Sequence, residues 1–180
     1  MRKLVSFLFI SLDGVVEAPD QYIRREAYAD FPDLIGNTVS EQDAVLLGRK
    51  TYEEWSTFWP TSQIEPFATF INNIPKFVVS STLQEVSWNR STLIDHDFLD
   101  EIKRLKMQPG SRIGVHGSIG LTQSLLLAGL LDELRLTQAP AIAGRGRRLL
   151  EHDGPPVQLD LQSSRTTKTG LQYLVYSPRR

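Results

Sequence analysis

Apolar positions fall in short blocks along this chain, and the blocks alternate in period. Leu4 to Ile10 is almost unbroken and leads into Ser11-Leu12-Asp13-Gly14, which predicts a buried strand over Lys3 to Ser11 closed by a polar turn. A helix is predicted over Tyr22 to Ile35, with a break at Pro32. Ala44 to Leu47 reads as a buried strand stopped by Gly48, and Arg49 to Trp55 as a short helix. Pro66 to Asn73 (helix), Lys76 to Val79 (strand) and Ser91 to Ile94 (strand) follow. From Asp97 the period turns helical: Phe98, Leu99, Ile102 and Leu105 share a face, Asp100 and Arg104 make an i,i+4 pair opposite, and Pro109-Gly110 closes the segment. Arg112 to His116 is a strand, and Leu121 to Leu130 a largely buried helix.

The last third changes character. Leu134 to Ala141 reads as a strand and Arg145 to Arg148 as a basic connection. Val157, Leu159 and Leu161 alternate with polar residues, and Leu171 to Tyr176 forms a final strand after Gly170. Strands alternate with helices early and follow one another late. That order predicts an α/β fold, with a mainly parallel mixed sheet, flanking helices and an antiparallel C-terminal edge. With 180 residues and no repeat or linker, one domain over 1–180 is expected.

Composition narrows the chemistry. Without cysteine, disulfides, thiolate metal sites and thiol catalysis are excluded. His96, His116 and His152 are scattered, so no metal site is expected. A formal net charge of −1 gives no broad positive field for nucleic acid. No apolar stretch approaches the roughly 20 residues that span a bilayer. A cytoplasmic protein that binds no membrane is expected.

Ligands of open α/β sheets bind beyond the carboxyl ends of the strands. Four predicted strand ends carry small or polar residues there. Gly117-Ser118-Ile119-Gly120 opens a helix and suits an anion, because glycines admit close backbone approach and the helix end is positive; it also reads as a plain turn with Ser118 as N-cap. Gly48-Arg49-Lys50-Thr51 opens another helix and adds two cations and a hydroxyl, a set that fits phosphate as well as a solvated turn. Ser80, Ser81 and Thr82 bring three hydroxyls, an ordinary turn or, beside Arg49, a ribose 2′-phosphate site. Asp13, at the mouth of the sheet, is a candidate to orient a substrate or relay a proton, or else a turn residue bonded to its own backbone. Trp55 and Phe58 (with Trp59) are candidates to wall a flat ligand, or core. Arg145, Arg147 and Arg148 read as a solvated loop before a substrate-phosphate site.

Together these segments resemble the stand-alone dihydrofolate-reductase-like proteins, relatives of the reductase domain of bifunctional riboflavin-biosynthesis enzymes. Gly48-Arg49-Lys50-Thr51-Tyr52-Glu53 is similar to the Gly-Arg-Lys/His-Thr-Tyr/Trp-Glu segment of that superfamily. Ser11 to Pro19, Leu131 to Leu136, Pro140 and Gly144 to Leu149 extend the likeness. The resemblance implies bound NADPH, with Gly48, Arg49, Lys50 and Thr51 on its phosphates. Ser80 and Ser81 would lie near the adenosine ribose, Gly117, Ser118, Ile119 and Gly120 on the pyrophosphate, and the nicotinamide near Asp13. It also implies a homodimer. Two departures stand out: Val15 replaces the basic residue of riboflavin-pathway reductases, and the acid of true dihydrofolate reductases has only Glu26, Asp30 and Asp33 as possible counterparts. The expectation is hydride transfer from NADPH to a C=N or C=O bond of a small heterocycle, pterin- or aminopyrimidine-like. Asp13 would be the catalytic polar group, and Trp55 and Phe58 the substrate wall. The alternatives are a non-catalytic nucleotide- or pterin-binding protein and a purely structural homodimer subunit.

Overall fold

The computed structural model describes residues 1–151 and 154–179. Among them, eight strands form one sheet in the order β4-β3-β2-β5-β1-β6-β8-β7. They are β1 (Leu4–Ile10), β2 (Gln42–Gly48), β3 (Lys76–Val79), β4 (Ser91–Ile94), β5 (Arg112–His116), β6 (Glu133–Gln138), β7 (Leu159–Thr166) and β8 (Gln172–Pro178). Neighbours from β4 to β6 run parallel, while β8 is antiparallel to both β6 and β7. The expected fold class is the observed one. The helices are α1 (Phe31–Val39), α2 (Arg49–Phe58), α3 (Phe67–Asn73), α4 (Phe98–Met107) and α5 (Ile119–Leu127).

Strand alternation divides the core between the two faces of the sheet. Ala44 and Leu46 of β2 join Leu4, Ile113 and Val115 beneath Ile102 and Leu105 of α4 and Leu125 of α5. Val45 and Leu47 face the other way, with Val78 against Tyr52 of α2 and Phe67 and Ile71 of α3. Leu34 of α1 packs with Val15, Tyr22, Ala139 and Leu171. Both faces of the central strands are therefore buried, which explains their unbroken apolar runs.

Several elements differ from the sequence expectation. Tyr22 to Ile35 is not one helix: two 3₁₀ segments (Pro19–Gln21 and Arg25–Asp30) precede α1, and Pro32 sits in the first turn of α1 rather than breaking it. A proline there gives up an N–H that has no intrahelical partner in any case. α4 carries Lys103–Asp100 at 2.7 Å and an Arg104–Glu101 pair, both i,i+3, in place of Asp100–Arg104. α5 begins at Ile119 and ends in a Schellman turn. Gly129 (φ 67°) donates to Leu126 O, and Leu130 N–H donates to Leu125 O. β6 stops at Gln138, because the next residues leave the sheet to bond the β1 loop.

Candidate functional site

At the carboxyl end of the sheet, α2 and α5 start side by side from β2 and β5. One hydroxyl joins them. Ser118 Oγ accepts the Gly48 N–H at 2.8 Å and lies 3.0 Å from both Thr51 Oγ1 and the His116 carbonyl oxygen. Its single proton goes to one of those two oxygens. Ser118 therefore does not offer its hydroxyl outward to an anion. Nor does it cap its helix, because neither Ser118 nor Gly48 gives a side-chain cap. Two helix N-termini without side-chain caps thus lie side by side, a doubled positive end.

Glycine makes the approach possible. A Cβ on Gly48 would lie 3.5 Å from Ser118 Cβ. Gly117 has φ 59°, and a Cβ there would stand 3.0 Å from Trp55 Cζ2. Trp55 thereby closes one side of the Gly117 turn while its ring meets Trp59 and Phe67 edge-on. Phe58 leaves half its surface in solvent and touches Trp59. Only Trp55 of the expected aromatic pair is thus seen to border the groove.

Ile119 and Gly120 form the first turn of α5. Lys50 is exposed, and Arg49 is exposed and bonded to Glu53 at 3.2 Å. The register Gly48↔Val79 sets Arg49 level with Ser80 on adjacent strand ends. Ser80 Oγ accepts the N–H groups of Thr82 and Leu83, so that hydroxyl holds the turn, while Ser81 is exposed.

A second wall comes from the segment after β6, zipped to the β1 loop. Leu12 N–H donates to Ala141 O at 2.7 Å, Val16 N–H to Arg147 O, and Leu149 N–H to Gly14 O. Asp13 is the clasp. Its Oδ1 accepts from Ser11 Oγ at 2.6 Å and from Ala143 N–H at 2.9 Å, and its Oδ2 accepts from Gly144 N–H at 2.9 Å. The Ser11 hydroxyl, then the two amides, hold the carboxyl down at about 2. Near neutrality the carboxylate is ionised, and donors from Ser11, Ala143 and Gly144 engage both of its oxygens. Its bonds hold the 143–144 turn against the β1 loop.

Arg147 is the residue that sequence reasoning weighed the other way. Its N–H donates to Glu17 Oε2 at 3.0 Å, and its Nη2 lies 3.8 Å from where a Gly120 Cβ would be. A guanidinium without an ion pair among the described residues thus stands over the start of α5. The signal was present in Gly144-Arg145-Gly146-Arg147, where glycines let an arginine-bearing loop fold close to another segment. Arg148 instead bonds the Asp13 carbonyl through Nε at 3.0 Å.

Behind the groove, His116 is buried, and its Nε2 donates to Gln42 Oε1 at 2.8 Å. Burial lowers its pKa to about 4, so the ring is neutral. His96 is exposed beside Asp95, and His152 lies outside the described residues.

This sheet order, with two helices starting side by side at its carboxyl end, is that of a dihydrofolate-reductase-like fold. Residues 2–173 match the model of the RibD C-terminal domain, and the chain belongs to that family. It is 26% identical over 182 residues to the uncharacterized protein YyaP of Bacillus subtilis (strain 168), covering 97% of this chain and 94% of that one. A Shewanella sp. PV-4 structure assigned to riboflavin biosynthesis superposes with a TM-score of 0.77 at 19% identity, covering 99% of each chain. Dihydrofolate reductase from Enterococcus faecalis, complexed with NADP(H) and RAB-propyl, superposes at 0.62 with 14% identity, covering 99% of this chain and 97% of that one.

Proposed function

We propose that this chain is an NADPH-dependent reductase acting on a C=N or C=O bond of a small heterocycle, pterin- or aminopyrimidine-like. The observation that carries the reading is the pair of uncapped helix starts, α2 and α5, stitched together by Ser118. The groove fits a pyrophosphate, because the first turns of both helices supply amide donors and the Gly117 turn leaves room for backbone contact. In this reading Gly48, Lys50, Thr51, Gly117, Ser118, Ile119, Gly120 and Arg147 hold the phosphates. Arg49 and Ser81, with Ser80 beneath, take the 2′-phosphate. The Arg49–Glu53 pair is exposed and worth at most about 1 kcal/mol, so a phosphate dianion competes well for that guanidinium. When bound, NADPH supplies the hydride; the protein supplies orientation and electrostatics. Asp13 holds the 143–144 turn against the β1 loop, and Trp55 and Phe58 are the proposed substrate side.

Calorimetric titration with NADPH and with NADH tests this. Micromolar NADPH binding, much weaker NADH binding and loss of the difference in Arg49→Ala are expected. Absence of binding for either dinucleotide overturns the reading. Binding of NADPH without oxidation across a panel of heterocycles supports the non-catalytic alternative instead. A homodimer is also proposed: β7 is an unpaired sheet edge with Leu161 exposed, and sedimentation of the purified chain as a monomer would reject it.

A further inference from the structure

β3 and β4 are parallel neighbours, and residues 80–90 join them without a helix. Such a crossover is ordinarily helical, and a helix satisfies most of its own N–H groups. Here side chains supply acceptors instead. At the head of the crossover, Ser80 Oγ accepts from the Thr82 and Leu83 N–H groups at 3.2 and 3.0 Å. At its far end the acceptor comes from α2: Tyr52 Oη accepts from the Ser87 N–H at 2.8 Å and from the Trp88 N–H at 3.2 Å. Between these two points Leu83 and Val86 pack on the same core as Tyr52. Both residues of the clamp are buried, Tyr52 with 6% and Trp88 with 7% of its surface exposed. Trp88 is fixed in turn by its Nε1–H, which donates to Asn72 Oδ1 at 3.2 Å.

Tyr52 stands one turn after Arg49 on α2, and residues three apart are neighbours on a helix surface. One helix therefore carries the guanidinium at its start and, a turn later, the oxygen that clamps the crossover opened by Ser80 and Ser81. We propose that Tyr52 is a positioning residue for the dinucleotide's 2′-phosphate. By tying the crossover to α2 it keeps Ser80 and Ser81 beside Arg49, and so sets the preference for NADPH over NADH. The proposal rests on the reductase reading above, which gives the 2′-phosphate to Arg49 and Ser81; Tyr52 itself touches no ligand. The oxygen is the working part. A phenyl ring fills the same space in the core but leaves two backbone donors without an acceptor, and the crossover has to shift to reach water. The coupling runs both ways, so a phosphate held by Arg49 and Ser81 tightens the clamp.

The test uses the full chain and begins with the wild type. Amide exchange at Ser87 and Trp88 is measured at saturation with NADPH and with NADH, and is expected to be about fivefold or more slower with NADPH. In Tyr52→Phe the Kd for NADPH is expected to rise about tenfold, as for loss of a buried acceptor, while that for NADH changes less than about twofold. In an Arg49→Ala background, adding Tyr52→Phe is expected to change NADPH affinity less than about twofold, because the two residues act on one phosphate. Equal weakening of both dinucleotides in Tyr52→Phe would make Tyr52 a support of the fold alone and overturns the proposal. So do unchanged affinities in that variant, and equal exchange of the wild type under the two dinucleotides. If Tyr52→Phe does not fold, the wild-type exchange comparison decides. A wild type that binds neither dinucleotide overturns the reductase reading and this proposal together, whereas a wild type that prefers NADPH with a Tyr52→Phe variant of the same preference overturns this proposal alone.

Discussion

Ser118 Oγ accepts the Gly48 amide hydrogen at 2.8 Å, across 70 residues of sequence, and so sets the starts of α5 and α2 beside each other. A serine at the head of a helix ordinarily caps that helix. Here it serves the neighbouring strand end, and the helix is left open to an outside anion.

Ser118→Ala is therefore expected to cost more than a lost cap on the surface. It leaves the Gly48 N–H without its partner, a loss of about 1–2 kcal/mol in chemical denaturation. NADPH affinity should fall with it, because the two helix starts are no longer held in register. Unchanged stability would mean that water replaces the hydroxyl at no cost.

Arg147→Ala should leave stability within about 0.5 kcal/mol, since the side chain is exposed and makes no ion pair among the described residues. Dinucleotide affinity should drop by about tenfold or more, as for a lost charge-assisted hydrogen bond. The salt dependence of binding should become shallower at the same time. A variant that binds NADPH with wild-type affinity would remove Arg147 from the site.

Much of this frame was legible because both faces of the central sheet are covered. Continuous apolar runs such as Ala44 to Leu47 then mark strands without ambiguity, and β3, β4 and β5 begin and end where the sequence places them. The Tyr22 to Asp30 region was not legible in this way. Its 3₁₀ turns are held by distant partners, among them Asp30 bonded to Thr169, and a local pattern carries no trace of them. The strand ends were found as polar interruptions, but the use of each side chain was not. Asp13 looked reactive and also ties the 143–144 turn to the β1 loop, whereas Arg147 looked solvated and stands over the start of α5. Lys76 begins an apolar strand, yet it is fully buried, donating to the Ile71 and Ile74 carbonyls at the end of α3 and lying 4.6 Å from the Trp88 ring centroid.

Asp13→Asn keeps the shape of the clasp and removes its charge. One oxygen is replaced by an NH₂ group, which cannot accept from both backbone amides and the Ser11 hydroxyl. Amide exchange at Ala143 and Gly144 should quicken, and turnover should fall more than NADPH affinity. The sign with pH follows from the depressed pKa. The clasp's contribution is present above the ordinary value of 3.8 and is lost as pH falls toward 2. Equal turnover in the variant would dissociate loop order from catalysis.

The buried His116–Gln42 pair makes the fold acid-sensitive in a higher window. The Gln42 amide is itself fixed by its donation to Thr38 O at 3.1 Å, so its oxygen accepts from His116 Nε2 and the imidazole stays neutral. Between the ordinary value of 6.5 and the lowered value of about 4, the unfolded chain binds a proton that the native chain refuses. Stability then falls as pH drops through that interval, by roughly 3 kcal/mol in all. His116→Gln removes the titrating group, so its stability should lose that slope even if its absolute value is lower. A slope equal to that of the wild type would place the acid sensitivity elsewhere. Gly114 gives an independent check. A Cβ there would stand 2.0 Å from Gln42 Oε1 and 2.7 Å from His116 Nε2, so the pair exists only because this strand position is glycine. Gly114→Ala should cost about 1–3 kcal/mol through the displaced carboxamide. It should also raise the imidazole pKa toward its usual range as water enters, which proton NMR titration of the ring would read directly.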